Sequence, residues 1–399
     1  MSWTTTEQEY APTSTRTVPY ANCYVCPEAR AAALDVLASG WLTAGAQTFA
    51  FERDFSAWVG APETIAVSSC TAAIELSLRA MRLPPGAPVL TPTITFCGAV
   101  HAIVHSGLRP VLIDADEDTL TVSAATVARA AQGVRPAAMV IQHMAGFPAP
   151  VGQLAEAAGL PLSRVVEDAA HGLGAAVDGQ PVGTLSRATC FSFYATKNLP
   201  IGEGGAICTD DPELADQLRE MRQHGMSKDA WRRYRPGAGW RYSVDSDGLK
   251  ANFTDLQAAI GRAQLTQLSG WQRRRADIAA RYDRALADVP GVILPPRPKN
   301  GTHAWHLYVV RIAAEYGRTR DELAERLTAL DVGTSVHFVP VHHFSYFRRL
   351  LGAGAENLPV ADRLSDQLLS LPLHPQLSDL DVDQVCTHIT ALCRRTGGL

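Results

Sequence analysis

The chain of 399 residues carries 36 lysine and arginine residues against 40 aspartate and glutamate, a formal net charge of −4, so as a whole it has no attraction for nucleic acid or an anionic membrane surface. No apolar run reaches the length of a bilayer span, and the opening MSWTTTEQEYAPTSTRTVPYA lacks the basic and then apolar segments of a secretory signal. The expectation is a cytoplasmic globular protein long enough for two domains.

After the polar N-terminal arm, PEARAAALDVLASG reads as a helix ended by Gly40. From about residue 64 strands and helices alternate: TIAVSS (strand), TAAIELSLRAMRL (helix, with Ile74, Leu78 and Met81 on one stripe), APVLTP (strand) and CGAVHAIVHSG (helix). RPVLIDAD, PAAMVIQH, SRVVEDAA, ATCFSFY and GGAICTD follow as short apolar strands. That rhythm implies a mostly parallel sheet covered by helices, with ligands beyond the carboxyl ends of its strands. FTDLQAAIGRAQLTQLSGWQRRRADIAARYDRALADV is a long amphipathic helical stretch, and VILPPRPKNG is a turn-rich break. HAWHLYVVRI (strand), TRDELAERLTAL (helix), GTSVHFVP (strand) and a C-terminal helix then make a smaller α+β domain. The change of character divides the chain into a large domain of residues 1–265, including the arm, and a small domain of residues 266–399.

Eight cysteines are scattered through the chain, and Cys70, Cys97, Cys190, Cys208 and Cys393 sit beside small or apolar residues, as reduced core cysteines do. Cys23 and Cys26 form a lone C-x-x-C with no second pair at zinc spacing, and no metal is expected.

Three strand ends carry the chemistry. Asp168 follows the strand of RVVEDAAHG, either as a helix cap or as the partner of a buried cation. Ser69 and Thr71 open a helix, where free backbone N–H groups and the positive dipole end either are simply capped or bind a phosphate. Lys197 lies five residues after Ser192, between a buried strand and GEGG, and is either a solvated loop lysine or a desolvated nucleophile. Together, a lysine, an aspartate and a phosphate cradle on successive strand ends match the needs of pyridoxal 5′-phosphate (PLP): an amine for the aldehyde, a carboxylate for the pyridinium nitrogen and donors for the phosphate.

At these residues the chain resembles a known family. VEDAAHGLGA, FSFYATKNLPIGEGGAICTDD, GLKANFTDLQAAIGRAQL, TSVHFVPVHH and LLSLPLHP are similar, in order and spacing, to the signature segments of the DegT-type sugar aminotransferases. The resemblance implies an α/β PLP-dependent transferase of fold type I, with a mostly parallel seven-stranded sheet in the large domain and a smaller α+β C-terminal domain. It implies that Lys197 joins the PLP aldehyde and later shuttles the proton, that Asp168 keeps the pyridine nitrogen protonated, and that His171 bonds the phenolic oxygen. Phe96 and Ala170 would flank the ring, and Thr71, Ala72 and Ser192 would bind the phosphate. Lys250 and Asn252 fall where the family reaches into the neighbouring subunit's site, which implies a homodimer with shared sites. Arg232, Arg233, Arg235 and Arg241 concentrate positive charge in WRRYRPGAGWRY, either a solvated basic loop or a hold on a pyrophosphate; with His337 of TSVHFVPVHH, the first three are the substrate-binding candidates. The implied reaction moves an amino group from L-glutamate to a keto-sugar nucleotide, at C4 of TDP-4-keto-6-deoxy-D-glucose, in deoxyaminosugar biosynthesis. A 3-keto sugar nucleotide or a keto-cyclitol is the alternative substrate, and a PLP-binding regulator without turnover is the alternative class.

Overall fold

The computed structural model describes residues 17–227, 241–352 and 357–394. Its main sheet is built from β1 (Glu63–Val67), β2 (Pro88–Pro92), β3 (Arg109–Ile113), β4 (Ala138–Gln142), β5 (Val165–Asp168), β8 (Ala188–Ser192) and β9 (Gly205–Thr209), in the order β1-β9-β8-β5-β4-β2-β3. Only β9 runs antiparallel, against both β1 and β8. Between β5 and β8 the chain makes the small hairpin β6 (Ala176–Val177) and β7 (Gln180–Pro181).

Alternation along the strands decides what covers each face. Ile65, Val67, Val140 and Val166 pack on one side with Ile74 and Leu78 of the helix α3 (Cys70–Ala80, after α1, Pro27–Ser39, and α2, Ala46–Val59). Ala66, Phe191, Phe193 and Cys208 face the other side, where Phe51 and Phe55 of α2 meet Phe253. The Phe51 ring stands edge-on to Phe193 at 5.3 Å and stacks on Phe253 at 5.4 Å, the offset and T-shaped contacts that aromatic quadrupoles favour.

Helix ends follow local chemistry. Gly40 ends α1 at φ 73°, in the left-handed region that glycine enters without steric cost. The amphipathic stretch divides into the helices Asp255–Leu265 and Leu268–Leu286, the first started by a Thr254/Gln257 capping box. Beyond them, β10 (Val292–Ile293), β12 (Tyr308–Ile312) and β13 (Leu368–Leu371) form an antiparallel sheet, while β11 (Gly301–Thr302) pairs with β6. A core of Tyr282, Tyr308, Leu327, Leu369 and Ile389, joined by Val18 of the N-terminal arm, packs this part of the chain.

Two strand expectations are corrected. GTSVHFVP is not a strand: its Ser335 makes a single bridge to Ser370, as Val332 just before it does to Val18, after which the chain turns away. The strand in that place is Leu368–Leu371 of LLSLPLHP, which pairs with β12 in register from Tyr308↔Leu371 to Arg311↔Leu368. HAWHLYVVRI is a strand only from Tyr308, because Trp305 sits at φ 47° and breaks the extended run.

Candidate active site

The parallel strands all end on one side, and a cavity of about 490 Å³ lies there. The structure brings Thr71, Phe96, Asp168, Ala170, His171, Ser192, Lys197 and His337 together on its wall.

Lys197 sits in the turn that leaves β8, its backbone N–H held by the Tyr194 carbonyl at 2.9 Å. Burial pushes its pKa down to about 8, against the opposing pull of the Asp168 carboxylate. Asp168 is the last residue of β5 and is buried. Its Oδ1 accepts the Ala170 N–H at 3.0 Å and the Cys70 thiol at 3.7 Å. Burial raises the Asp168 pKa, opposed first by the Ala170 N–H and then by Lys197. Among the described residues no arginine or lysine makes a direct ion pair with this carboxylate, so its charged form lacks a close cation. A protonated pyridine nitrogen is such a cation, and the donor set therefore fits PLP.

One side of the cavity is a helix N-terminus, which suits an anion. Ser69 caps α3 by accepting the Ala72 N–H at 3.1 Å, and Thr71 lies on the cavity wall one residue before. Gly205 lets β9 approach this end closely, since a Cβ there would lie 2.6 Å from the Cys70 nitrogen. Ala72 itself is behind the wall, its N–H spent on Ser69. Ser192 ends β8, and its Oγ accepts the Tyr194 N–H at 3.4 Å.

Hydrogen bonds fix the tautomers of two neighbouring imidazoles whose centroids are 4.4 Å apart. His171 Nδ1 accepts the Ala145 N–H at 3.2 Å, which leaves the neutral ring's proton on Nε2. Asn198 donates through Nδ2 to the Ala304 carbonyl at 2.9 Å, so its Oδ1 accepts from His306 Nδ1 at 3.0 Å and leaves His306 Nε2 as an acceptor. Burial holds both rings well below the ordinary histidine pKa, and both are neutral. His337 is also lowered by burial, to about 4, and its Nδ1 pairs with Ser370 Oγ at 2.9 Å.

Other expected residues stand elsewhere. Lys250 is exposed and bridges Gln223; Asn252 bridges Val67 at the end of β1, its Nδ2 reaching the Phe253 carbonyl at 3.4 Å. Neither lines the cavity of its own chain. Arg232, Arg233 and Arg235 lie outside the described residues, and Arg241 is exposed. The sequence reading missed Tyr20, Gln142, His306 and Phe338 on the wall, and took Cys70 only as a core cysteine. Gln142 ends β4, so the strand-end rule applied to every strand would have found it; His306 was hidden inside an assumed strand.

A mostly parallel seven-stranded sheet with a lysine, an aspartate and a helix N-terminus at its carboxyl edge defines a PLP enzyme of fold type I. The chain belongs to the DegT/DnrJ/EryC1/StrS aminotransferase family, which it matches over residues 25–390. It is 42% identical over 373 residues to the spore coat polysaccharide biosynthesis protein SpsC of Bacillus subtilis, covering 92% of this chain and 95% of that one. The aminotransferase TlmJ from Streptoalloteichus hindustanus superposes with a TM-score of 0.84 at 35% identity, over 94% of this chain and 99% of that one. Spr1654 of Streptococcus pneumoniae, described as a candidate sugar aminotransferase and solved in its PLP form, gives a TM-score of 0.85 at 26% identity over 95% and 99%. The cofactor is PLP, and the enzyme is a PLP-dependent aminotransferase.

Proposed function

We propose that this PLP-dependent sugar aminotransferase moves an amino group from L-glutamate to a keto sugar carried on a nucleotide, at C4 of a TDP-4-keto-6-deoxyhexose. The observation that carries the reading is the single cavity in which Lys197, Asp168 and the N-terminus of α3 meet. The choice of C4 is supported by SSCTAA and GLKANFTD, which resemble the forms these segments take in 4-aminotransferases.

PLP, when bound, supplies an aldehyde that takes an amine and a ring that withdraws electrons from the adjacent carbon. The chain's own groups do the rest. Lys197, with its pKa near 8, keeps part of its Nζ neutral at physiological pH, so it can act as a nucleophile and then take and return a proton. The same carbon-to-carbon proton shift serves both halves of a ping-pong exchange. Asp168 would accept the N–H of the protonated ring nitrogen and keep it charged, and His171 Nε2–H would bond the phenolic oxygen. Phe96 and Ala170 would flank the ring, and Thr71 and Ser192 would hold the phosphate at the positive end of α3, the Ala72 N–H being already taken by Ser69. Arg232, Arg233 and Arg235 bind the pyrophosphate of the nucleotide, and His337 meets the sugar. Residues 1–265 form the cofactor domain and 266–399 the small domain, and the enzyme works in the cytoplasm as a homodimer in which Lys250 and Asn252 complete the neighbour's site.

Incubation with L-glutamate and a panel of 3-keto and 4-keto sugar nucleotides, with NMR location of the new amine, tests the proposal. Efficient amination of free sugars or cyclitols would reject the nucleotide reading, and an amine at C3 would reject the regiochemistry. Mixing Lys197→Ala protein with Lys250→Ala/Asn252→Ala protein should restore part of the activity in hybrid dimers; verified hybrids without activity would reject the shared site. The likeness to SpsC favours a second reading of the product's fate, as a polysaccharide building block, with the same chemistry at the site.

A further inference from the structure

Away from the cavity, three side chains with metal-ligating atoms converge. His342 Nε2, His343 Nε2 and one oxygen of Asp362 all lie within 4.8 Å of one another. Both imidazole nitrogens are 2.8 Å from the same Asp362 Oδ1. Adjacent residues on a chain usually point apart, yet here the short turn Val341–His343 brings both rings to one point, 4.5 Å between centroids.

The framework behind them is built. His342 is buried, and its Nδ1 pairs with Thr93 Oγ1 at 2.7 Å, the kind of outer partner that orients a ligating imidazole and leaves Nε2 to face the metal. The Val341 N–H bonds the Thr93 carbonyl at 2.8 Å, and Arg348 holds the His343 carbonyl at 3.2 Å. Asp362 belongs to the helix Pro359–Ser365, whose Ala361 N–H is fixed by Asp114 at 2.8 Å. Thr93 and Asp114 each directly follow a strand of the main sheet, so both sides of the cluster rest on rigid elements.

The chemistry selects the ligand. Two neutral imidazoles and one carboxylate offer two nitrogens and one oxygen with a net charge of −1, a set that suits zinc and its first-row neighbours and not calcium or magnesium. His343 and Asp362 side chains remain 37% and 46% exposed, which leaves a route for the ion and a water position to complete its coordination.

We propose that His342, His343 and Asp362 bind one divalent transition-metal cation of the zinc class. The site is separate from the PLP chemistry. Its position gives it an effect all the same: the His342 turn follows His337 and Phe338 on the cavity wall, and Thr93 precedes Phe96 on the same wall. A bound ion clamps the His342 turn to the helix Pro359–Ser365 and reaches the Thr93 segment through His342 Nδ1.

The test uses tag-free, PLP-loaded enzyme stripped of metal with a chelator, titrated with Co²⁺ by visible absorption and with Zn²⁺ by calorimetry. One equivalent per chain is expected, with nitrogen and oxygen ligand-field bands. His343→Ala, at an exposed position, and the isosteric Asp362→Asn should each weaken binding by at least about tenfold. Their melting temperatures without metal and their PLP absorbance confirm that they fold. Zn²⁺ should raise the melting temperature of the unaltered enzyme and not of the variants. No stoichiometric binding, equal binding by both variants, or thiolate-to-cobalt charge-transfer bands would each overturn the proposal.

Discussion

Cofactor-free enzyme should capture PLP at Lys197 with a rate that rises with pH, bends near pH 8 and levels off above about pH 9. The neutral amine is the reactive form, and burial in the cavity brings Lys197 from an ordinary 10.5 to about 8. Roughly one-tenth of such a lysine is neutral at pH 7 and roughly nine-tenths at pH 9, a gain of about tenfold followed by a plateau. An unperturbed lysine would gain about a hundredfold across the same two units and keep climbing. Asp168→Asn sharpens the test, because the carboxylate opposes the downward shift; without it the break should move to lower pH and the gain should shrink. The assay is stopped-flow absorbance of the forming chromophore, with the pH response of PLP itself divided out by a small free amine run in parallel. Borohydride reduction and peptide mapping then locate the bond, a clean readout because the chain has only Lys197, Lys228, Lys250 and Lys299. A rate that rises without a break past pH 9.5, or a pyridoxyl group on any of the other three, would refute the reasoning.

Asp168→Asn should also lower amino transfer by on the order of a hundredfold while the enzyme still binds PLP, since a charge-assisted bond to the ring nitrogen is replaced by a neutral one; half-reaction rates with L-glutamate check it. Ser69→Ala removes the cap that accepts the Ala72 N–H and should cost about 1 kcal/mol in urea unfolding. The same change should weaken the hold on PLP, measured by dialysis. Phe193→Ala empties the aromatic layer between Phe51 and Phe55 and should cost about 3–5 kcal/mol, seen as a lower urea midpoint with an unchanged slope.

The alternating pattern made the main sheet legible because each strand is short, apolar and followed by a helix or turn, and because its chemistry sits where strands stop. Position alone put Asp168 and Ser192 at strand ends, where the structure has them, while the roles expected of them came from the resemblance. Lys197 stood out as a cation placed between an apolar strand and a glycine cluster. What stayed hidden depends on contacts between distant segments. Tyr20 reaches the cavity from the N-terminal arm, stacking on His337 at 5.8 Å. His306 reaches the cavity wall because Trp305 turns the backbone, and Asn198 Oδ1 accepts its Nδ1–H. GTSVHFVP carries the β-branched composition of a strand, but its pairing partners are single residues, so composition misled where register decides.

The lone antiparallel strand has a consequence for how the enzyme is made. Within the sheet β1 is joined only through β9, its partner more than a hundred residues further along the chain. As the polypeptide leaves the ribosome, β1 and the start of α3 must wait until Gly205–Thr209 has been synthesised before they have a neighbour to pair with. Such long-range closure belongs late in folding, after the local strand-helix units have formed. The helix N-terminus at Ser69 and Thr71 is therefore among the last parts of this region to be fixed, and the cavity it lines is complete only once the large sheet has closed.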